Sequence, residues 1–112
     1  MPWQATHRFA KISPRKARLV ADMIRGRRAE MALNQLQLTH QRAARLIEQV
    51  LKSAIANADE QGRADLESLV VSKSYVNEAP TMKRWQPKDR GRSHPILKRT
   101  SHITVEVDVA GA

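Results

Sequence analysis

Charge falls along this chain in four blocks, and that distribution constrains its organisation more than any single motif. Residues 1–28 hold Arg8, Lys11, Arg15, Lys16, Arg18, Arg25, Arg27 and Arg28 against Asp22 alone, a net of +7. Residues 83–102 hold Lys83, Arg84, Lys88, Arg90, Arg92, Lys98 and Arg99 against Asp89, a net of +6. The stretch between them, 29–82, sums to −2, as do the last ten residues. The balanced middle reads as a folded body and the two basic blocks as surfaces for a polyanion; the alternative for either block is an ordinary solvated face.

Apolar periodicity supports that division. A chain of 112 residues builds one modest core, so a single domain over 1–112 is expected. Ser13-Pro14 is a helix start, since a serine oxygen can accept from first-turn amides and proline tolerates the first helical position. Ala17, Val20, Ala21 and Ile24 then recur at helical spacing up to about residue 25, and Gly26 can take the left-handed conformation that closes a helix. A second helix is expected over Ala29–Leu38, with Ala32, Leu33 and Leu36 inward. A third runs from about 41 to 59 on Ala43, Ile47, Val50, Leu51, Ala54 and Ala58. Residues 68–78 and 103–109 alternate as strands, the second with Ile103, Val105, Val107 and Val109 on one face, and Trp3–Ala10 is a weaker strand.

The segment from Ala79 to His102 is too long for a hairpin turn. It leaves one strand and enters another, so it reads as an antiparallel ribbon reversing near Asp89, Arg90, Gly91 and Arg92. Each side has nine or ten residues and reaches about 30 Å. Such a ribbon is marginal alone and its charges repel, so a polyanion is needed to order it. Trp85 offers a stacking surface for an unpaired base, or else packs where the ribbon joins the body.

Other chemistries find little support. The chain has no cysteine, and His7, His40, His94 and His102 lack ligand-like spacing, so no metal and no cofactor is expected. Asp59, Glu60, Asp65 and Glu67 surround a turn at Gly62 rather than a cleft, and no glycine motif cradles phosphate, so no catalytic residue is assigned. No apolar run exceeds three residues, which leaves no membrane span, and residues 1–12 lack the features of an organellar presequence. A helix-turn-helix module is the competing class, with Arg42, Arg45, Gln49 and Lys52 sharing a helix face beside Glu48.

Four ordered segments carry a resemblance. Ile12-Ser-Pro-Arg-Lys-Ala-Arg-Leu-Val-Ala-Asp-Met-Ile-Arg-Gly-Arg27, Ser53-Ala-Ile-Ala-Asn-Ala58, Tyr75-Val-Asn-Glu-Ala-Pro-Thr-Met-Lys-Arg84, and Gly91-Arg92 with Lys98-Arg-Thr-Ser-His-Ile-Thr-Val105 resemble the bacterial form of the universal large-subunit ribosomal protein twenty-two family. The resemblance covers nearly the whole chain. It implies an α+β fold, three helices packed on a small three-stranded antiparallel sheet, with a long protruding β-hairpin at about 79–102. It implies no enzyme, but a structural constituent of the large subunit that binds 23S-type ribosomal RNA and aids assembly.

Carried over by position, RNA contacts fall to Ser13, Pro14, Arg15, Lys16, Arg18, Arg25 and Arg27, and in the arm to Lys83, Arg84, Trp85, Lys88, Arg90, Arg92, Lys98, Arg99 and His102. A tip of Lys88, Asp89, Arg90, Gly91, Arg92, Ser93 and His94 would line the nascent-peptide exit tunnel. Asp89 and the pair Ser93-His94 depart from the family pattern, so Asp89 pairing locally with Arg90 or Arg92 is the alternative there. Partners implied are the large-subunit RNA, neighbouring ribosomal proteins and the nascent peptide, with no membrane and no homo-oligomer. The expected place is the cytoplasmic ribosome, an organellar one being the alternative.

Overall fold

The computed structural model describes residues 3–61, 66–80, 82–88 and 92–109, with backbone only for 61, 66, 82–88 and 92–98. In chain order these form β1 (Trp3–Ala10), α1 (Pro14–Ile24), α2 (Ala29–Leu38), α3 (Arg42–Gln61), a 3-10 turn (Leu66–Ser68), β2 (Leu69–Glu78), β3 (Met82–Lys88), β4 (Arg92–Lys98) and β5 (Ser101–Val109). Three helices thus accompany an antiparallel sheet of order β1-β5-β2, while β3 and β4 pair as a second, two-stranded sheet. The α+β class expected from the sequence is the one observed.

β5 occupies the centre, and its composition explains why. Ile103, Val105 and Val107 are fully buried on the helix-covered face, where burial of each such side chain contributes about 1.5–3 kcal/mol. The opposite face carries His102, Thr104 and Glu106, flanked by their cross-strand partners Asn77, Tyr75, Thr6 and Gln4. Thr6 and Thr104 hydroxyls meet at 3.1 Å there. Helices cover one face only, so the strands alternate apolar and polar.

β2 departs from simple alternation. Val71 pairs with Val107 but Lys73 with Glu106, so Ser72 is an extra residue, a β-bulge. The bulge switches phase: Leu69 and Val71 are buried before it, Ser74 and Val76 after it. Ser72 Oγ donates to the Glu106 carbonyl at 3.2 Å and to its carboxylate at 3.1 Å. The expected strand is present, but its inward set changes parity partway along.

α1 buries Pro14, Ala17, Val20, Ala21 and Ile24. Ser13 is the N-cap in extended conformation, as expected, and its carbonyl accepts the first intrahelical bond from Ala17 N–H at 3.2 Å, but its hydroxyl does not make the expected capping bond. At the other end Gly26 adopts φ +81. There Gly26 N–H donates to Val71 O at 2.9 Å and Val71 N–H to Arg27 O at 2.8 Å, clamping the helix end to β2 beside the bulge. α3 runs two residues further than expected and buries Ala43, Ala44, Ile47, Val50, Leu51, Ala54 and Ala58.

The arm is shorter than the 79–102 segment suggests. Ala79 and Thr100 are buried in the body, Ala79 N–H donates to Thr100 O at 3.1 Å, and Thr100 Oγ1 donates to Pro80 O at 3.0 Å. Ser101 and His102 belong to β5, paired with Glu78 and Asn77. The reason is burial: Ser101 is fully enclosed and donates to Ile12 O at 2.6 Å. What remains is seven residues per strand, in register from Met82 opposite Lys98 to Lys88 opposite Arg92, or about 23 Å. The long axis of the molecule is 63 Å against 25 and 18 Å. Residues 89–91, where the reversal was expected, lie outside the described residues.

Gly26 supplies a test of this closure. A methyl added there meets nothing within 4 Å, so only the positive φ opposes it. Gly26→Ala is expected to cost about 1–2 kcal/mol in urea unfolding. Gly26→Asn should cost less, since asparagine tolerates that conformation.

Candidate nucleic-acid interface

The bond from Ser101 to Ile12 fixes where the two basic blocks meet. It ties the strand that receives the arm to the turn that launches α1, so the base of the arm lies beside the helix start. Two clefts flank that start. One of about 540 Å³ is lined by Lys11, Ile12, Ser13, Lys16, Leu19, Gln41, Arg42 and Ala43, and so joins the first turns of α1 and α3. The other, about 360 Å³, is lined by Ser13, Pro14, Arg15, Arg18, Glu78 and Arg99. Here residues 84 apart in sequence, Arg15 and Arg99, share one surface.

Cations divide into two groups by what they touch. Arg18 Nε donates to Val76 O at 3.1 Å, Arg27 Nε to Met23 O at 2.8 Å, and Arg28 Nη2 to Glu67 O at 2.7 Å. Arg25 bridges Asp22 Oδ1 and Ser74 O, both at 2.7 Å. Arg45 caps the end of α2 by donating to the carbonyls of Leu36, Gln37 and Thr39 at 3.0–3.2 Å, where a helix terminus lacks its full set of intrahelical donors. Arg8, Lys11, Arg15, Lys16, Arg42 and Arg99 are exposed and have no hydrogen bond or ion pair among the described residues. Among the described residues these six are the cations without an intramolecular partner.

The expected contacts therefore differ in placement. Arg15 and Lys16 are exposed at the helix start, and Pro14 is buried beneath it, setting the position of its neighbours. Arg18, Arg25 and Arg27 are partly engaged with backbone carbonyls. Lys11 and Arg42 were not assigned from sequence as contacts, and only the folded proximity of α1 and α3 brings them together. His102 lies in the body, its Nδ1 accepting from Phe9 N–H at 3.1 Å. Lys83, Arg84, Trp85, Lys88, Arg92, Ser93, His94 and Lys98 occupy β3 and β4, with side chains outside the described residues. Asp89, Arg90 and Gly91 lie outside them entirely.

The competing recognition helix loses two of its four residues. Arg45 Nη1 and Lys52 Nζ meet Glu48 at 2.7 and 3.1 Å, so two of that face's three cations are engaged within the helix. The Lys52 hydrogen bond, opposed by burial and joined by that of Arg45, holds the Glu48 carboxyl below the usual carboxylate range. Among the described residues no His, Asp and Glu side chains gather as metal ligands. No described helix is long and apolar enough to cross a membrane.

The fold and the site together describe a small α+β protein with unpaired cations gathered around one helix start and a two-stranded ribbon that leaves the body at the same place. The model of one family, described as ribosomal protein L22p/L17e, matches residues 5–108. The chain belongs to the ribosomal protein L22 family: it is a structural constituent of the large ribosomal subunit, works in translation, and is not an enzyme.

Glu48 yields a pH prediction. Its folded pKa is depressed, so its contribution is present above the unfolded value and is lost as pH falls through the folded one. Glu48→Gln should lower stability at neutral pH, and the gap to the parent should close in acid, read by urea unfolding across a pH series. A gap that persists undiminished in strong acid would assign the loss to packing.

Proposed function

We propose that the protein holds 23S-type ribosomal RNA with the start of α1 and the root of the arm, and so aids assembly of the subunit. The observation that carries this is the set of exposed, unpaired cations Lys11, Arg15, Lys16, Arg42 and Arg99 around the two clefts. Phosphates from several RNA strands can meet such a surface at once, releasing counterions from each. Ser13, Pro14, Arg18, Arg25 and Arg27 shape and flank it. In the arm, Lys83, Arg84, Trp85, Lys88, Arg90, Arg92, Lys98 and Arg99 follow the RNA inward, and His102 sits at its root.

The tip, Lys88 to His94, lines the nascent-peptide exit tunnel and meets the peptide. Neighbouring ribosomal proteins are further partners, and one copy serves each cytoplasmic ribosome. Support for the tip comes from family membership and from the ribbon register, which brings Lys88 opposite Arg92.

Replacing Lys11, Lys16 and Arg42 together by alanine should weaken binding to large-subunit RNA fragments. The slope of log affinity against log salt should fall by about two to three units, on the order of 0.7–0.9 per phosphate contact. Arg45→Ala should instead lower stability and leave that slope in place. Preference for a specific DNA duplex over the RNA would overturn the proposal.

Deleting residues 88–94 tests the tip separately. Subunits are expected to assemble, because α1 anchors independently, while peptide passage or macrolide response changes. Failure of the shortened chain to enter subunits would make the tip an anchor instead.

A further inference from the structure

One residue outside the assigned contacts carries costs that folding does not explain. Phe9 adopts φ +56, a left-handed conformation that a bulky side chain takes only at a cost. The β1–β5 register breaks between His7 and Ala10, so Phe9 sits in an irregularity of the ladder. The residue is 58% exposed. A strained backbone that buried the ring would be intelligible as packing; here the strain turns an aromatic ring toward water.

The ring is nevertheless held. Phe9 N–H donates to His102 Nδ1 at 3.1 Å, and the two rings meet edge to face, with centroids 4.8 Å apart and planes at 84°. Because Nδ1 accepts, the neutral imidazole carries its proton on Nε2, leaving that N–H as the ring's donor. A T-shaped contact covers at most one face of either ring, so Phe9 keeps a face for another planar group.

Its surroundings select the chemistry of that group. Phe9 reaches His102 on the sheet face that no helix covers. Asn77 lies opposite His102 across β2–β5, and Tyr75, 40% exposed, is its diagonal neighbour. Arg8, beside Phe9 in the chain, is an exposed cation without a partner among the described residues. An aromatic face with an imidazole N–H, a carboxamide across the ladder and a cation next in the chain suits a nucleobase better than an apolar protein surface.

We propose that the Phe9–His102 pair on the open face of the sheet is a stacking site for one unpaired RNA base, with Phe9 as platform and His102 holding it in place. This rests on the reading that ribosomal RNA is the partner. It adds a second contact surface, on a different element from the helix start and the arm.

The test uses the full chain and protein-free large-subunit RNA, with affinity and nucleotide-by-nucleotide acylation of the 2′-hydroxyls as readouts. Phe9→Gly relieves the positive φ and is expected to fold as stably as the parent. It should bind about tenfold more weakly and expose one newly reactive nucleotide. Phe9→Leu, which keeps an apolar side chain without a π-face, should show the same loss, and Phe9→Tyr should retain parent affinity and protection. Parent-like affinity and reactivity in both the glycine and leucine variants would overturn the proposal. A defect seen only in subunits containing other proteins would also overturn it, by making the occupant a protein. If the parent chain itself fails to bind that RNA, the broader reading falls first and this one with it.

Discussion

The structure depends on β5 lying between β1 and β2. One strand supplies the central row of buried valines and isoleucine, accepts an edge strand from the start of the chain on one side and β2 on the other, and leaves no other place for the helices than over its apolar face. Because β2 and β5 are antiparallel neighbours, the segment between them must leave and re-enter the body at adjacent points. The Ala79–Thr100 hydrogen bond marks that gate. A basic insert placed there can extend away from the body without disturbing the core, and its root is fixed to the launch of α1 by Ser101.

Net charge alone overstates what this surface offers to a polyanion. Five arginines, Arg18, Arg25, Arg27, Arg28 and Arg45, donate to backbone carbonyls within the body. Such bonds to ionised groups are stronger than neutral ones, so these side chains organise loops and helix ends. The shorter list of unengaged cations is more informative, because it is spatially coherent although it comes from separate parts of the sequence. Arg42 and Arg99 join it only through folding. Arg45, three residues from Arg42, belongs to the other group for reasons that no charge count records.

Much of the fold was legible in the sequence where periodicity was clean. The apolar faces of α1 and α3, the alternation of β5 and the closure at Gly26 all came out as expected, and family resemblance agreed with them. Legibility failed where local chemistry met long-range contact. The bulge at Ser72 makes two opposite alternation patterns each half right. Ser13 stands at the N-cap position, but its hydroxyl makes no bond to the first-turn amides. Thr100 to His102 read as part of the arm, because nothing local reveals that Ser101 is enclosed against Ile12. Phe9 carried no motif at all; its significance lies in a torsion angle and in a partner 93 residues away.

The position of β5 also orders events in time. The middle strand of the sheet is the last of its three to leave the site of synthesis, and both edge strands are made before there is anything for them to pair with. α1 can meet α3 and β2 earlier, but the sheet itself cannot close until residues near 109 emerge. Contacts so distant in sequence close slowly. Until β5 is made, the apolar face of the sheet lacks its central strand while the basic residues of β1 and α1 are already present.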